Sequence, residues 1–323
     1  MSSELGKHLA RYGLRHFGDE ARYWEWGGRH LSPGQAAKIE AFMDSKAEGT
    51  MSPQSRREFY DYLADPTVAV VVHSMKAGAI RASGAWIASQ LGEGVDVLDV
   101  GCGLGYLTTW YSQQPGVGRV VGIDESEPTV ALAASRASVL GVSKTIFLAT
   151  AAESMELSIG SFGVIASTQG LSECANVLGA LHACRAVMSP GGTILCVESH
   201  GLPGPARQFV ALAESAGLGL QRFEFLDHED LGRHSCLPAY TFALGASKLT
   251  PDWEALYGLA SARSNCRMLE AGILRWCDEV LGHDPSSART LREEVRVIVT
   301  GTAPDTKERV HALDQLAQNA GLY

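Results

Sequence analysis

Three glycines at alternate positions follow a single aspartate in the stretch VLDVGCGLGYLTTWY, residues 97–111. The pattern is Asp99-x-Gly101-x-Gly103-x-Gly105, and it comes directly after an apolar run. Glycine lacks a Cβ, so a turn of this kind lets the backbone approach a ligand closely. The next apolar run, VVGID, ends in a second carboxylate, Asp124. An acid at that position can accept hydrogen bonds from both hydroxyls of a ribose. The spacing therefore predicts a nucleoside site.

Two other glycine patterns do not fit this stretch. A dinucleotide fingerprint, G-x-G-x-x-G, counted from Gly101 requires a glycine at position 106, where the chain has Tyr106. A P-loop requires Gly-Lys-Ser/Thr after the turn, and no such sequence follows. The turn is therefore predicted to hold a nucleoside without the phosphate cradle of either motif.

The elements that must position these residues alternate from Val95 onward. Short apolar runs are separated by helical patterns, which is typical of a mostly parallel sheet with helices on both faces. We expect a doubly wound sheet of seven strands. The runs that predict the strands are VDVLDV, GRVVGID, KTIFLAT, FGVIAST, TILCVES, LGLQRFEFLD and AYTFALGAS. In such a sheet the ligand sits beyond the carboxyl ends of the strands.

As a set, these motifs resemble the class I, Rossmann-like S-adenosylmethionine-dependent methyltransferases. VLDVGCGLG resembles their first motif, VVGIDES their second, and VMSPGGTILCVES the turn before their fifth strand, so the resemblance covers about residues 90–247. It implies S-adenosylmethionine as the cofactor. It also implies that the glycine turn faces the methionine part and that Asp124 binds the ribose. The residues implied in the cofactor site are Asp99, Gly101, Gly103, Gly105, Asp124, Glu125, Ala152, Glu153 and Thr168.

The chain departs from the family after the third strand. Many members have Gly-Asp-Ala there, with the aspartate contacting the adenine amino group. This chain has LATAAESM, which supplies Ala151 and Ala152 and places the nearest carboxylate at Glu153. Backbone groups around Ala152 and the carboxylate of Glu153 are the two candidates for the adenine contact.

Two helical regions flank the predicted core of residues 93–248. Residues 1–92 are predicted to form a helical lid that recognises the substrate, with Ser-Pro starts at 32–33 and 52–53 and a helix over 72–92. Residues 249–323 are predicted to be mainly helical and to complete the site or form a homodimer interface. VRVIVTG, residues 295–301, is a candidate extra strand within that region.

Composition limits the classes of partner. The net charge is −9, which argues against a nucleic-acid partner. The N-terminus has no signal-peptide pattern, and the longest aliphatic run is too short to span a bilayer, so no membrane partner is expected. The seven cysteines contain no C-x-x-C pair and are typical of reduced thiols, which predicts a cytoplasmic protein.

Catalytic residues are harder to find by pattern, because methyl transfer from a sulfonium requires mainly alignment of donor and acceptor. His200, after the fifth strand, is the candidate base, and Glu198 is the candidate partner that orients it or a substrate amine. His228, His234 and Cys236 are an incomplete metal-ligand set, and we expect a solvated loop there and no metal site.

Two further features lie before the core. The segment RYWEWGGRH places Tyr23, Trp24 and Trp26 around Glu25, either as an aromatic wall for an amine or as a patch that docks helices. His73, in VVVHSMKAG, is a candidate cap for the pocket.

The segment after the fourth strand bears on the acceptor. Here it is STQGLSE, without the Asn/Asp-Pro-Pro-Tyr/Phe of family members that methylate adenine or glutamine amides. The prediction is a methyltransferase that acts on a small molecule at O, N or C. The alternatives are methylation of a peptide or protein side chain, and a non-catalytic subunit that binds the cofactor.

Overall fold

The computed structural model describes residues 4–47, 52–279, 285–302 and 306–320. The chain divides into two compact units. The first comprises Met1–Leu226, Asp230–Gly232 and Leu237–Thr250, and the second comprises Asp227–Glu229, Arg233–Cys236 and Pro251–Tyr323. The N-terminal helices thus belong to the same unit as the sheet, whereas the three-region division at 92/93 and 248/249 stays a prediction.

A seven-stranded sheet forms the centre of the described part of the first unit, in the order β3-β2-β1-β4-β5-β7-β6. The strands are β1 (Val97–Val100), β2 (Val120–Asp124), β3 (Thr145–Ala149), β4 (Phe162–Thr168), β5 (Met188–Val197), β6 (Leu218–Asp230) and β7 (Arg233–Leu244). Strands β1 to β5 pair in parallel, and β7 pairs antiparallel to β5. The predicted fold is confirmed. Because the strand order reverses beside β1, the carboxyl end of β1 lies at a switch point where α/β proteins bind ligands.

The register at β1 leaves room for a carboxylate. Asp99 is flanked by Gly122 on β2 and by Ala166 on β4. All four residues of β1 are buried, as expected for a central parallel strand covered on both faces. Small neighbours on both sides therefore accommodate Asp99 in an otherwise apolar layer.

Helices connect the parallel strands, as the alternating pattern predicts. They are α7 (Tyr106–Ser112), α8 (Glu127–Val139), α9 (Val177–Ala186) and α10 (Pro203–Ser215). Helix α8 begins at a capping serine, Ser126, whose side chain accepts from the backbone N–H of Thr129. Helix α7 begins without a side-chain cap, directly after Gly105, so the glycine turn runs straight into the helix.

Six helices precede the sheet in the described residues: α1 (Glu4–Arg11), α2 (Glu20–Gly28), α3 (Pro33–Ala47), α4 (Pro53–Tyr62), α5 (Pro66–Ser74) and α6 (Ala77–Ala88). The single helix predicted over 72–92 is wrong, because the structure has two helices there: α5 ends at Ser74 and α6 begins at Ala77. The carboxylate of Asp230 accepts hydrogen bonds from the backbone N–H groups of Gly78 and Ala79, at 2.6 and 3.0 Å. A distant carboxylate thus caps the start of α6, and local periodicity cannot reveal it.

Helix α1 packs against the helix that follows the glycine turn. His8 Nε2 lies 2.9 Å from the carbonyl oxygen of Tyr106, and the hydroxyls of Tyr12 and Thr109 lie 2.6 Å apart. Burial lowers the pKa of His8, so the ring is neutral and donates from Nε2 to the Tyr106 carbonyl. The start of α7 is therefore held from the N-terminal side.

The second unit contains α11 (Trp253–Glu279), α12 (Pro285–Gly301) and α13 (Lys307–Asn319). The candidate strand at 295–301 is wrong, since these residues lie in α12. Val295 is buried in the core of these helices, and Ile298 and Val299 pack against the same core. Their spacing of three and four residues places them on one helix face, so packing overrides the strand propensity of Val and Ile.

His228 and His234 lie within β6 and β7, and only residues 231–232 separate the two strands. The predicted solvated loop is therefore wrong, because the polar residues extend the strands of a hairpin. Within the described ranges, no group of three or more His, Cys, Asp or Glu side chains is arranged to hold a metal ion. Nor does any helix in that part of the chain have the length and apolar character needed to cross a membrane.

Candidate functional site

The glycine turn adopts a backbone conformation that suits glycine. Gly101, Gly103 and Gly105 have φ values of +72°, +49° and +73°, in the left-handed region that other residues rarely occupy. The backbone N–H groups of Gly101 and Cys102 both donate to the carbonyl of Ile123 at 2.9 Å, which fastens the turn to the end of β2.

The three glycines serve different spatial needs. A Cβ on Gly101 would lie 2.8 Å from the Cα of Gly170, and one on Gly105 would lie 2.8 Å from the ring of Phe147. A Cβ on Gly103 would meet nothing within 4 Å. Gly101 and Gly105 are thus required by packing inside the protein, whereas Gly103 borders open space where a ligand can approach the backbone.

Asp99 is buried at the end of β1, where Thr108 Oγ1 donates to its Oδ2 at 2.6 Å. Burial raises the pKa of Asp99 to about 7, although the Thr108 hydroxyl opposes the shift. A buried carboxylate with a single fixed donor is well suited to stabilise a positively charged group that enters the site.

Asp124, at the end of β2, accepts a hydrogen bond from the backbone N–H of Gly103 at 2.9 Å and one from that of Ser126 at 3.1 Å. Burial raises the pKa of Asp124, while these two N–H donors oppose that shift. Both predicted carboxylates therefore converge on the glycine turn, one from each neighbouring strand.

A cavity lies at this edge of the sheet, within the first unit. Its lining includes every residue of the predicted cofactor set except Gly105, which packs against Phe147 instead. The predicted residues that line it are Asp99, Gly101, Gly103, Asp124, Glu125, Ala152, Glu153 and Thr168. The structure thus brings together residues from β1, β2, β4 and the segment after β3.

The opposite wall comes from the N-terminal helices and the start of α7. Its members are largely apolar or aromatic: Phe42, Phe59, Tyr60, Leu63, Val72, His73, Met75, Ile80, Tyr106 and Leu107. Of these, the sequence singled out only His73. In the sequence the others have the pattern of ordinary helix-packing residues. That pattern is the same whether a helix face lines a cavity or packs into the core.

Helix α4 is fastened across the ends of two strands. Its Arg57 forms an ion pair with Glu125 at 3.0 Å, and its Arg56 donates to the carbonyl of Glu173 at 2.6 Å. Ser126 also donates to Asp61 on α4 at 2.7 Å. The helix therefore lies along the side of the cavity near Asp124.

His200 and Glu198 do not line this cavity. The Nδ1 of His200 lies 2.9 Å from the hydroxyl of Tyr240, and its ring packs against Phe209. Burial lowers the pKa of His200 to about 4. Glu198 is fully buried and accepts from Ser172 Oγ at 2.6 Å, so it holds the loop after β4. Their predicted catalytic roles have no support from this geometry.

Replacing Glu198 by glutamine should change how stability depends on pH. Burial raises the pKa of Glu198 from 4.5 to about 8. The folded protein therefore retains this proton while the unfolded chain loses it, and the wild type becomes less stable as pH rises from about 4.5 to 8. We expect Glu198→Gln to gain stability relative to the wild type over that window, measured by urea unfolding at several pH values. Glu214→Gln, at an exposed carboxylate on α10, should track the wild type, and parallel curves for Glu198→Gln would contradict the assignment.

The aromatic segment before the core docks helices. Tyr23 is fully buried and donates to the carbonyl of Val71 at 3.1 Å. Trp26 packs against Phe17 and His30. None of these residues lines the cavity. The helix-docking interpretation of this segment therefore fits the contacts, and the amine wall does not.

Residues 97–192 match a family model described as "Methyltransferase domain". This segment is a methyltransferase domain. S-adenosylmethionine is the cofactor of this domain, as the motifs imply. The residues present fit that group, since Gly103 leaves open space beside the backbone, and Asp99 and Asp124 present carboxylates to the same cavity.

Two curated proteins are similar to part of this chain. A demethylmenaquinone methyltransferase of Lactococcus lactis is 31% identical over 107 residues, which are 33% of this chain and 42% of that protein. A ubiquinone biosynthesis O-methyltransferase of Agrobacterium fabrum is 35% identical over 100 residues, 31% of this chain and 39% of that protein. The chain spans less than half the length of these relatives. Among solved structures, a SAM-dependent methyltransferase from Aquifex aeolicus has 19% identity and a TM-score of 0.45, covering 58% of this chain and 97% of that one.

Proposed function

We propose that this chain is an S-adenosylmethionine-dependent methyltransferase that acts on a small-molecule acceptor. The main support for the proposal is the cavity, whose lining has a polar part and an apolar part. One wall holds the glycine turn with Asp99 and Asp124, and the other holds apolar and aromatic side chains from the helices before the sheet. A cofactor on the first wall would present its methyl group to an acceptor on the second.

Methyl transfer requires mainly that the protein position the acceptor atom against the methyl group. The cofactor supplies an activated methyl group, and the protein must bring the acceptor atom into line within about 3 to 3.5 Å of it. The side chains that would do so are those of the apolar wall, which exclude water from the reacting atoms. Helix α4, with its contacts to Glu125, Glu173 and Ser126, would border a cofactor bound near Asp124.

The shape of the cavity favours a small acceptor over a protein side chain, because helices before the sheet line one part of it. A peptide acceptor requires an open groove along which its backbone can lie. The two curated relatives are a demethylmenaquinone methyltransferase and a ubiquinone biosynthesis O-methyltransferase, whose names specify small molecules. Both observations support the same acceptor class.

The test is transfer of a labelled methyl group from S-adenosylmethionine. The purified protein is incubated separately with a low-molecular-mass extract and with the desalted protein fraction of the native host. We expect label to accumulate in the small-molecule extract and to be absent from that reaction when Asp124→Ala replaces the wild type. Label confined to the protein fraction would overturn the acceptor class, and no transfer in either fraction would overturn the enzymatic assignment.

A further inference from the structure

We propose that Gln169 binds the acceptor through its side-chain amide, and that the acceptor presents an uncharged hydroxyl or carbonyl group to it. This inference rests on the proposed methyltransferase function. Gln169 is half-buried, directly follows β4 and lines the cavity. Its backbone φ is +56°, in the left-handed region that residues with a side chain rarely adopt. A conformation of this kind beside a cavity is typical of a functional site.

Contacts on both sides of Gln169 hold its backbone. Its N–H donates to the carbonyl of Val197 on β5 at 2.8 Å. At the next residue, Gly170, a Cβ would lie 2.4 Å from a backbone oxygen of β1. The N–H of Leu171, which is fully buried, donates to Ser167 Oγ at 3.0 Å. The fold therefore imposes the left-handed conformation at Gln169, and a glycine would fit the same backbone without strain.

The position of Gln169 is next to the glycine turn. Val100 on β1 pairs with Ser167 on β4, so the segments that follow these two parallel strands leave the sheet side by side. A Cβ on Gly101 would lie 2.8 Å from the Cα of Gly170, the residue after Gln169. An acceptor bound by Gln169 would therefore lie beside a cofactor held at the turn.

The amide of Gln169 is available to a ligand. It has no hydrogen-bond partner among the residues that the structure describes. A carboxamide carries no charge and can both donate and accept a hydrogen bond, which suits a hydroxyl or a carbonyl. Thr168, the lining residue before it, also has an uncharged polar side chain. The polar groups at the end of β4 are thus uncharged.

The charged residues of the cavity lie on other elements or have other partners. They are Lys76, Asp99, Asp124, Glu125, Glu153 and Glu173. Glu125 and Glu173 pair with arginines of α4. Asp99 accepts from a hydroxyl of α7, and Asp124 accepts from the glycine turn. Lys76 comes directly before α6, and Glu153 follows β3, three strands from β4 in the sheet. An acceptor group at the end of β4 therefore meets the amide first.

The test replaces Gln169 by glycine, which removes the amide and suits the left-handed backbone. Leu231→Gly is the matched control, because Leu231 has φ +54° in the turn between β6 and β7 and does not line the cavity. Gln169→Glu and Gln169→Lys place a negative and a positive charge at the same position. The probe is the low-molecular-mass extract of the native host, added at a series of concentrations with labelled S-adenosylmethionine. Affinity for S-adenosylhomocysteine and thermal unfolding are measured for every variant.

We expect Gln169→Gly to lower kcat/KM for the extract by about 5- to 100-fold, mainly by raising the extract concentration that gives half-maximal transfer. Its S-adenosylhomocysteine affinity should stay near the wild-type value. Its unfolding temperature should be no lower than that of the wild type, because glycine relieves the left-handed conformation. Leu231→Gly should transfer methyl groups as the wild type does. Gln169→Glu and Gln169→Lys should both lower kcat/KM, since each desolvates a charge against an uncharged group.

Four results would overturn the inference. The first two are wild-type transfer by Gln169→Gly and an equal loss of transfer in Leu231→Gly. The third is a loss of S-adenosylhomocysteine affinity in Gln169→Gly as large as its loss of transfer, which would assign the residue to the cofactor. The fourth is a higher kcat/KM in Gln169→Glu or Gln169→Lys, which would show a charged acceptor group. A wild type that transfers no label to the extract would instead be a failure of the proposed function, and the inference would fall with it.

Discussion

Replacing Gly103 by alanine is expected to weaken cofactor binding far more than it weakens folding stability. A Cβ at this position meets nothing within 4 Å in the protein. The substitution therefore lowers the free energy of unfolding only by the cost of a left-handed backbone conformation for alanine, about 1–2 kcal/mol. The methyl group would, however, occupy space that borders the cavity beside Asp124. We expect the affinity for S-adenosylhomocysteine, measured by calorimetry, to fall more than about 100-fold, or about 2.7 kcal/mol.

Two other glycines provide matched controls. Gly141, after α8, has φ +69°, and a Cβ there would meet nothing within 4 Å, so Gly141→Ala should show the backbone cost alone with unchanged cofactor affinity. Gly101→Ala adds a contact of 2.8 Å with the Cα of Gly170, which a backbone atom cannot easily relieve. It should lose about 2–5 kcal/mol of stability, the backbone cost plus overpacking. Equal cofactor affinity in Gly103→Ala and Gly141→Ala would show that the cofactor does not lie against the turn.

Replacing Asp124 by alanine should weaken S-adenosylhomocysteine binding by about 10²- to 10⁴-fold. Hydrogen bonds to a charged group contribute about 1.5–3 kcal/mol each, and two ribose hydroxyls can donate to this carboxylate. Stability should fall by about 1–3 kcal/mol, because the N–H groups of Gly103 and Ser126 lose their acceptor.

The control for this variant is Glu127→Ala, which removes an exposed carboxylate three residues away in the first turn of α8. It should bind S-adenosylhomocysteine as the wild type does, and its urea-unfolding midpoint should move little. If both variants bind equally well, Asp124 does not contact the ribose and the second motif has been assigned the wrong role.

The part of the cavity that we propose to hold the cofactor could be predicted because its signals are local. Asp99, the three glycines and Asp124 lie at strand ends and turns, where residue type follows from backbone conformation and from the strand–turn–helix order. Parallel pairing of the strands then brings them to one edge without further information. The same reasoning predicts Gly105 in the site. In the structure a glycine is needed there because a Cβ would lie 2.8 Å from the ring of Phe147.

The acceptor wall could not be predicted, since it depends on contacts between segments far apart in the chain. Phe42 and Phe59 look like core residues of amphipathic helices, and only the packing of α3, α4 and α5 against one another places them at the cavity. The capping of α6 by Asp230 is likewise invisible locally. The place of His200 after a strand predicts a catalytic base. In the structure its Nδ1 lies 2.9 Å from the Tyr240 hydroxyl and its ring packs against Phe209.

Calorimetric titration of the wild-type protein with S-adenosylhomocysteine tests whether the cavity binds this cofactor. We expect saturable binding at one site with a Kd below about 100 µM, or a free energy of about −5.5 kcal/mol or stronger. The same titration of Gly103→Ala should give no measurable heat. Absence of binding by a folded wild-type protein would contradict the assignment of the cavity to this cofactor.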